Sequence, residues 1–95
     1  MEEALLKISG NVQGVGFRSL AQKIARSLKI AGWAKNQPDG TVLILAQGAK
    51  ESLQLFEKRL ASINLGLSGP RVDSIVAQEK REARDFSPHP DFLVG

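Results

Sequence analysis

The sequence contains no cysteine in its 95 residues. That absence excludes a disulfide scaffold, a thiolate nucleophile and every sulfur-ligated zinc or iron–sulfur centre. Histidine occurs once, at His89, which rules out a histidine-built metal site and leaves little for a Ser-His-Asp relay. No apolar run is longer than a few residues, so no transmembrane helix is expected. The start, Met1-Glu2-Glu3, has neither the basic residues nor the apolar stretch of a signal peptide. The expectation is a small soluble protein in the cytoplasm, built as a single domain over residues 1–95, because two cores of this size would each be too small to fold alone.

Acidic side chains are scarce in one region. Between Glu3 and Glu51 the only acid is Asp39. Residues 1–40 carry six Lys and Arg against three acids, whereas residues 41–95 carry seven of each sign. A partner of the first half is therefore expected to be anionic, through attraction and through the lack of competing carboxylates. A basic, solvated helix face would have the same composition. Charge alone does not separate a small phosphate compound from nucleic acid.

Patterning gives the elements. Ala4–Ser9 reads as a strand and Asn11–Gly16 as a loop with two glycines. A helix is expected from Arg18 or Ser19 to Lys29, with Leu20, Ala21, Ile24, Ala25 and Leu28 on one stripe. Gly32–Gln37 reads as a second strand. Pro38-Asp39-Gly40 is a turn, since Pro fixes φ, Asp bonds its own backbone and Gly accepts positive φ. Thr41–Gln47 is apolar on both faces, as a central strand would be. Lys50–Ile63 is a second helix through Leu53, Phe56, Leu60 and Ile63, and Val72–Glu79 is a fourth strand. Lys80–Pro90 reads as a charged tail, with Phe92-Leu93-Val94 as a short edge strand. The order βαββαβ predicts an α+β, ferredoxin-like two-layer sandwich, with two helices on one face of a mainly antiparallel sheet.

The loop before the first helix carries the chemistry. Gly14-Val15-Gly16-Phe17-Arg18-Ser19 has no Gly-Lys-Ser/Thr ending, so it is not a P-loop. The chain is also too short for a doubly wound dinucleotide domain. The physics of such loops still applies. Glycines let successive N–H groups converge as a nest, and a helix start adds unpaired N–H groups and a positive dipole end. Arg18 in the first turn opposes that dipole, which makes sense if an anion sits between them. Its planar fork suits a phosphate better than a lysine would. The plainer reading is a tight turn with its arginine in solvent.

Gly10-Asn11-Val12-Gln13-Gly14-Val15-Gly16-Phe17-Arg18 resembles the signature of the acylphosphatase family. Gly32-Trp33-Ala34-Lys35-Asn36, followed by Pro38-Asp39-Gly40-Thr41-Val42, resembles its second signature, and the two stand about as far apart as in that family. The resemblance implies hydrolysis of a carboxyl–phosphate anhydride without metal or cofactor. It implies that Arg18 binds the phosphoryl group together with the amides of Gln13, Gly14, Val15, Gly16, Phe17 and Arg18. It implies that Asn36 orients the attacking water. The expected partners are a small acyl phosphate and inorganic phosphate, acting on a monomer. This chain departs from many members in having Ser19 after Phe17-Arg18, where they have an aromatic or bulky residue.

Two alternatives use the same fold. One is an acylphosphatase-like domain acting on carbamoyl phosphate, although such proteins run far beyond 95 residues and tend to have proline after Phe-Arg. The other is a non-catalytic module binding anions or nucleic acid. RNA-binding members of this architecture stack bases on aromatics of their central strands, and strands one and three here have none. Trp33 reads as core or sheet cover, Phe17 as the anchor of the loop, and His89 as an exposed tail residue. Asp39 reads as turn chemistry, and Ser19 as a helix-start hydrogen bonder with no base to make it a nucleophile.

Overall fold

The computed structural model describes residues 1–82 and 91–94. The elements are β1 (Glu2–Asn11), α1 (Phe17–Ser27), β2 (Ala31–Asn36), β3 (Val42–Gly48), α2 (Lys50–Ala61), β4 (Arg71–Glu82) and β5 (Phe92–Val94). They form one sheet in the order β4-β1-β3-β2-β5. All neighbours run antiparallel except β2 and β5, which are parallel. This is the expected ferredoxin-like α+β fold, with β5 added at the edge.

Strand alternation decides which side is covered. Ala4, Leu6 and Ile8 of β1, Ala34 of β2, and Val42, Ile44 and Ala46 of β3 face the helices and are buried. Against them lie Phe17, Ala21 and Ala25 of α1 and Leu53, Phe56 and Leu60 of α2. The two alanines let α1 lie close to the sheet. Phe92 of β5 is fully buried, with its ring edge-on to Phe56 at 6.0 Å between centroids. Burying side chains of this size is worth roughly 1.5–3 kcal/mol each. Gly32 has φ +139°, and a Cβ there would lie 1.8 Å from the Leu45 carbonyl oxygen, so only glycine fits where β2 presses on β3.

Among the described residues, the other face has no second layer. β3 is central, as expected, but Leu43 and Leu45 are only half-buried, as are Leu5 and Trp33 beside them. Trp33 is thus a cover on the open face, with the Lys35 ammonium 5.0 Å from its ring centre. The two-faced apolar pattern of β3 does not mean that both of its faces are enclosed.

Several boundaries differ from the sequence expectation. β4 continues to Glu82, so Lys80, Arg81 and Glu82 belong to the sheet and not to a tail. β1 starts early enough to pair with them, and Glu3 accepts from Arg81 Nε at 2.6 Å. α1 stops at Ser27, because Lys29 turns left-handed at φ 57° and donates its N–H to Arg26, while Ile30 donates to Ala25. His89 and the Pro88-His89-Pro90 stretch lie outside the described residues. Among the described residues, no helix is long and apolar enough to cross a membrane.

Candidate active site

The loop from β1 to α1 is pinned at both ends. Val12 and Phe17 are 2% and 1% exposed, so the four residues between them must cross the top of the core in a short arch. Gly14 at φ 73° and Gly16 at φ 81° make that arch possible. A Cβ at either would meet nothing within 4 Å, so the glycines are required for backbone conformation and not for space.

Gly16 is also the N-cap of α1, and its carbonyl takes the first helical bond, from Leu20 N–H at 3.1 Å. Among the described residues no side chain caps this helix, and its first turn has no acid. The amides of Phe17, Arg18 and Ser19 precede the first helical bond and remain available, at the positive end of the dipole. Ser19 is exposed and makes no capping hydrogen bond. The expected hydrogen-bonding role for its hydroxyl is therefore corrected: the left-handed Gly16 occupies the N-cap, where a serine would have to sit.

Arg18 is half-buried and, among the described residues, has no ion pair or hydrogen bond. Of the other cations in the first half, Lys23 and Lys29 likewise have no side-chain partner among the described residues, Lys35 lies over Trp33, and two are paired. Lys7 meets Asp39 at 2.9 Å, and Arg26 meets Asp91 at 2.6 Å. Asp39 also accepts from Thr41 N–H at 3.0 Å. The Thr41 hydroxyl, and then Lys7, hold its carboxyl well below the usual range. Asp39 is the turn residue expected, with an added tie to β1.

Asn36 ends β2, paired with Val42 of β3, which is in turn paired with Ile8 of β1. By alternation with buried Ala34, its side chain lies on the helix side of the sheet, the side over which the loop arches. It is exposed and, among the described residues, its amide has no partner. The structure thus brings Gln13–Arg18 and Asn36 to one end and one side of the sheet.

Gln13 joins the two. Its Nε2 donates to the carbonyls of Gln37 at 2.7 Å and Thr41 at 2.9 Å, across the mouth of the β2–β3 hairpin. The glycine loop is therefore tied to the residue that follows Asn36. Gln13 is expected among the phosphate contacts from the family resemblance. Its side chain is committed to the hairpin, so only its backbone N–H can take that part. Backbone carbonyls leave no mark in a sequence pattern, so this tie was not visible there. Among the described residues no three acidic or histidine side chains are grouped as metal ligands would be.

A helix start without a side-chain cap, an arch of left-handed glycines and a guanidinium unpaired among the described residues make a candidate anion site on a ferredoxin-like sandwich. Known proteins narrow this class. A family model described as acylphosphatase matches residues 4–92. The chain is 42% identical to the acylphosphatase of Thermus thermophilus over 79 residues, covering 83% of each. It is 46% identical to that of Clostridium acetobutylicum over 79 residues, covering 83% of this chain and 84% of the other. The crystal structure of acylphosphatase from Bacillus subtilis superposes with a TM-score of 0.84 at 33% identity, over 100% of this chain and 99% of that one. The chain belongs to the acylphosphatase family, and its activity is that of an acylphosphatase, a hydrolase of acyl phosphates.

Proposed function

We propose that this acylphosphatase divides its work between a cradle that holds the phosphoryl group and one amide that holds the water. The backbone N–H groups of Gln13 to Arg18 and the Arg18 guanidinium bind the phosphoryl oxygens. These donors are fixed before substrate arrives, which is the condition for electrostatic stabilisation of a transition state. The Asn36 side-chain carbonyl accepts from the attacking water and sets it in line with the phosphorus. As the water oxygen bonds to phosphorus, the bond from phosphorus to the acyl oxygen breaks and a carboxylate leaves with the electron pair. A carboxylate is a weak base and needs no acid to assist it. The amide of Asn36 is too weak a base to take the water's proton, so a phosphoryl oxygen of the substrate receives it.

The observation that carries this reading is Arg18, unpaired among the described residues, at a helix start without a side-chain cap, beside two left-handed glycines and on the same side of the sheet as Asn36. Its test is phosphate release from benzoyl phosphate run beside a phosphate monoester. Release from the acyl phosphate alone is expected. Equal release from the monoester would contradict it.

Two further results are expected. Turnover should be unchanged by excess EDTA and by added Mg²⁺, because the guanidinium of Arg18 does the work of a cation at the phosphoryl group. Loss with EDTA and recovery with Mg²⁺ would overturn these roles. Inorganic phosphate should inhibit competitively and shift amide resonances in Gln13–Ser19, more weakly as salt screens the local Lys and Arg charge. Shifts confined to residues 47–95 would relocate the site. The proposal also includes a single domain over residues 1–95, acting as a monomer in the cytoplasm, with no nucleic acid as partner. Light scattering should give one species near 10.3 kDa.

A further inference from the structure

Arg18, Gln22 and Arg26 stand four residues apart on α1 and therefore lie along one line of the helix. Arg18 is the first of them, at the site. The other two hold the segment Asp91–Val94. Gln22 Nε2 donates to the Phe92 carbonyl at 2.7 Å. Arg26 makes a forked contact with Asp91, Nε to Oδ1 at 2.9 Å and Nη2 to Oδ2 at 2.6 Å. Asp91 Oδ1 also accepts from Phe92 N–H at 2.7 Å. The other side of the same segment belongs to β2. Gly32 N–H donates to the Asp91 carbonyl at 3.2 Å, and β5 pairs Gly32 with Phe92, Trp33 with Leu93 and Ala34 with Val94.

So α1, which carries Arg18, and β2, which carries Asn36, are both bonded to one short segment. A helix and a strand share no backbone hydrogen-bond ladder, and the buried contact of α1 with the sheet is made by Phe17, Ala21 and Ala25. Apolar packing of that kind resists separation but is weakly directional. The forked bonds are directional. Their side chains are 53% and 40% exposed, so this ion pair adds little to stability. Asp91 is nevertheless held down to about 2 by the Arg26 guanidinium and then by Phe92 N–H, so it stays charged at neutral pH.

We propose that Gln22, Arg26 and Asp91 are positioning residues, and that Asp91–Val94 is a strut fixing how α1 lies along β2, and hence where Arg18 holds the phosphorus relative to Asn36 and its water. The inference rests on the roles given above to Arg18 and Asn36.

The test uses the full chain, with kcat on benzoyl phosphate, the inhibition constant of inorganic phosphate and the melting temperature measured for each variant. Arg26→Ala and Asp91→Ala should each lower kcat roughly tenfold, since small misplacements of reacting groups cost up to about 10²-fold. Phosphate inhibition should stay within about twofold, because the glycine loop itself is untouched. Arg26→Lys should recover part of the loss. Asp91→Asn, which keeps an acceptor for Phe92 N–H, serves if Asp91→Ala does not fold. Lys80→Ala breaks the 3.0 Å pair with Glu57, between β4 and α2, and should leave kcat unchanged. The decisive arm is Arg26→Ala in an Asn36→Ala background. With the water already unplaced, the strut has nothing to align, and no further loss of kcat is expected. Full kcat in Arg26→Ala and Asp91→Ala, with Arg18 and Asn36 behaving as expected, would overturn the strut alone. So would a tenfold loss repeated in the Asn36→Ala background, or an equal loss in Lys80→Ala. Normal turnover in Asn36→Ala overturns the reading of the site, and the strut with it.

Discussion

Arg18→Ala is expected to lower kcat/KM on benzoyl phosphate by roughly 10³-fold and to weaken inhibition by inorganic phosphate as well. The guanidinium touches the phosphoryl oxygens in the bound substrate, in the transition state and in the product, so affinity and turnover fall together. The loss should be greater in turnover, because negative charge gathers on those oxygens as the acyl oxygen departs. Arg18→Lys should recover little: a point charge on a flexible stem does not reproduce two parallel N–H donors. The fold should be unaffected, since Arg18 has no ion pair or hydrogen bond among the described residues. A thermal melt within a few degrees of the parent protein checks this. Arg18→Ala with normal phosphate inhibition would move the phosphoryl group elsewhere.

Asn36→Ala is expected to behave differently. In this reading the side chain touches only the water, so phosphate inhibition should be nearly unchanged while kcat falls roughly 10²–10³-fold, about 3–4 kcal/mol for one preorganised polar contact. Asn36 is exposed at the end of β2 and its amide holds nothing else in place among the described residues. Its removal should cost no stability.

Much of this was legible in the sequence because the relevant signals are local. Alternating apolar positions, helical stripes at Leu53, Phe56 and Leu60, and the Pro38-Asp39-Gly40 turn each record a neighbourhood of a few residues. The loop from Gly14 to Arg18 was legible for the same reason, since positive φ favours glycine wherever the chain goes next. What was missed depends on partners far along the chain. The run Lys80-Arg81-Glu82 looks like a solvated tail until β1 is seen to offer Glu2 and Glu3 beside it. The end of α1 carries no glycine, because Lys29 itself takes the left-handed position. The Gln13 clamp and the Arg26–Asp91 fork join residues 24 or more apart, and in the first case the acceptors are backbone carbonyls. Ser19 misled for a different reason. It has the right residue type for a cap, but the N-cap is three residues earlier, at Gly16.

The division of labour between Arg18 and Asn36 is tested most directly by one pair of numbers from one preparation of Asn36→Ala. These are kcat on benzoyl phosphate and the inhibition constant of inorganic phosphate. With circular dichroism and melting temperature unchanged, the expected result is a kcat reduced by at least about 10²-fold beside an inhibition constant within about twofold of the parent. A near-normal kcat on the intact fold would contradict the account, and so would a parallel loss of both values.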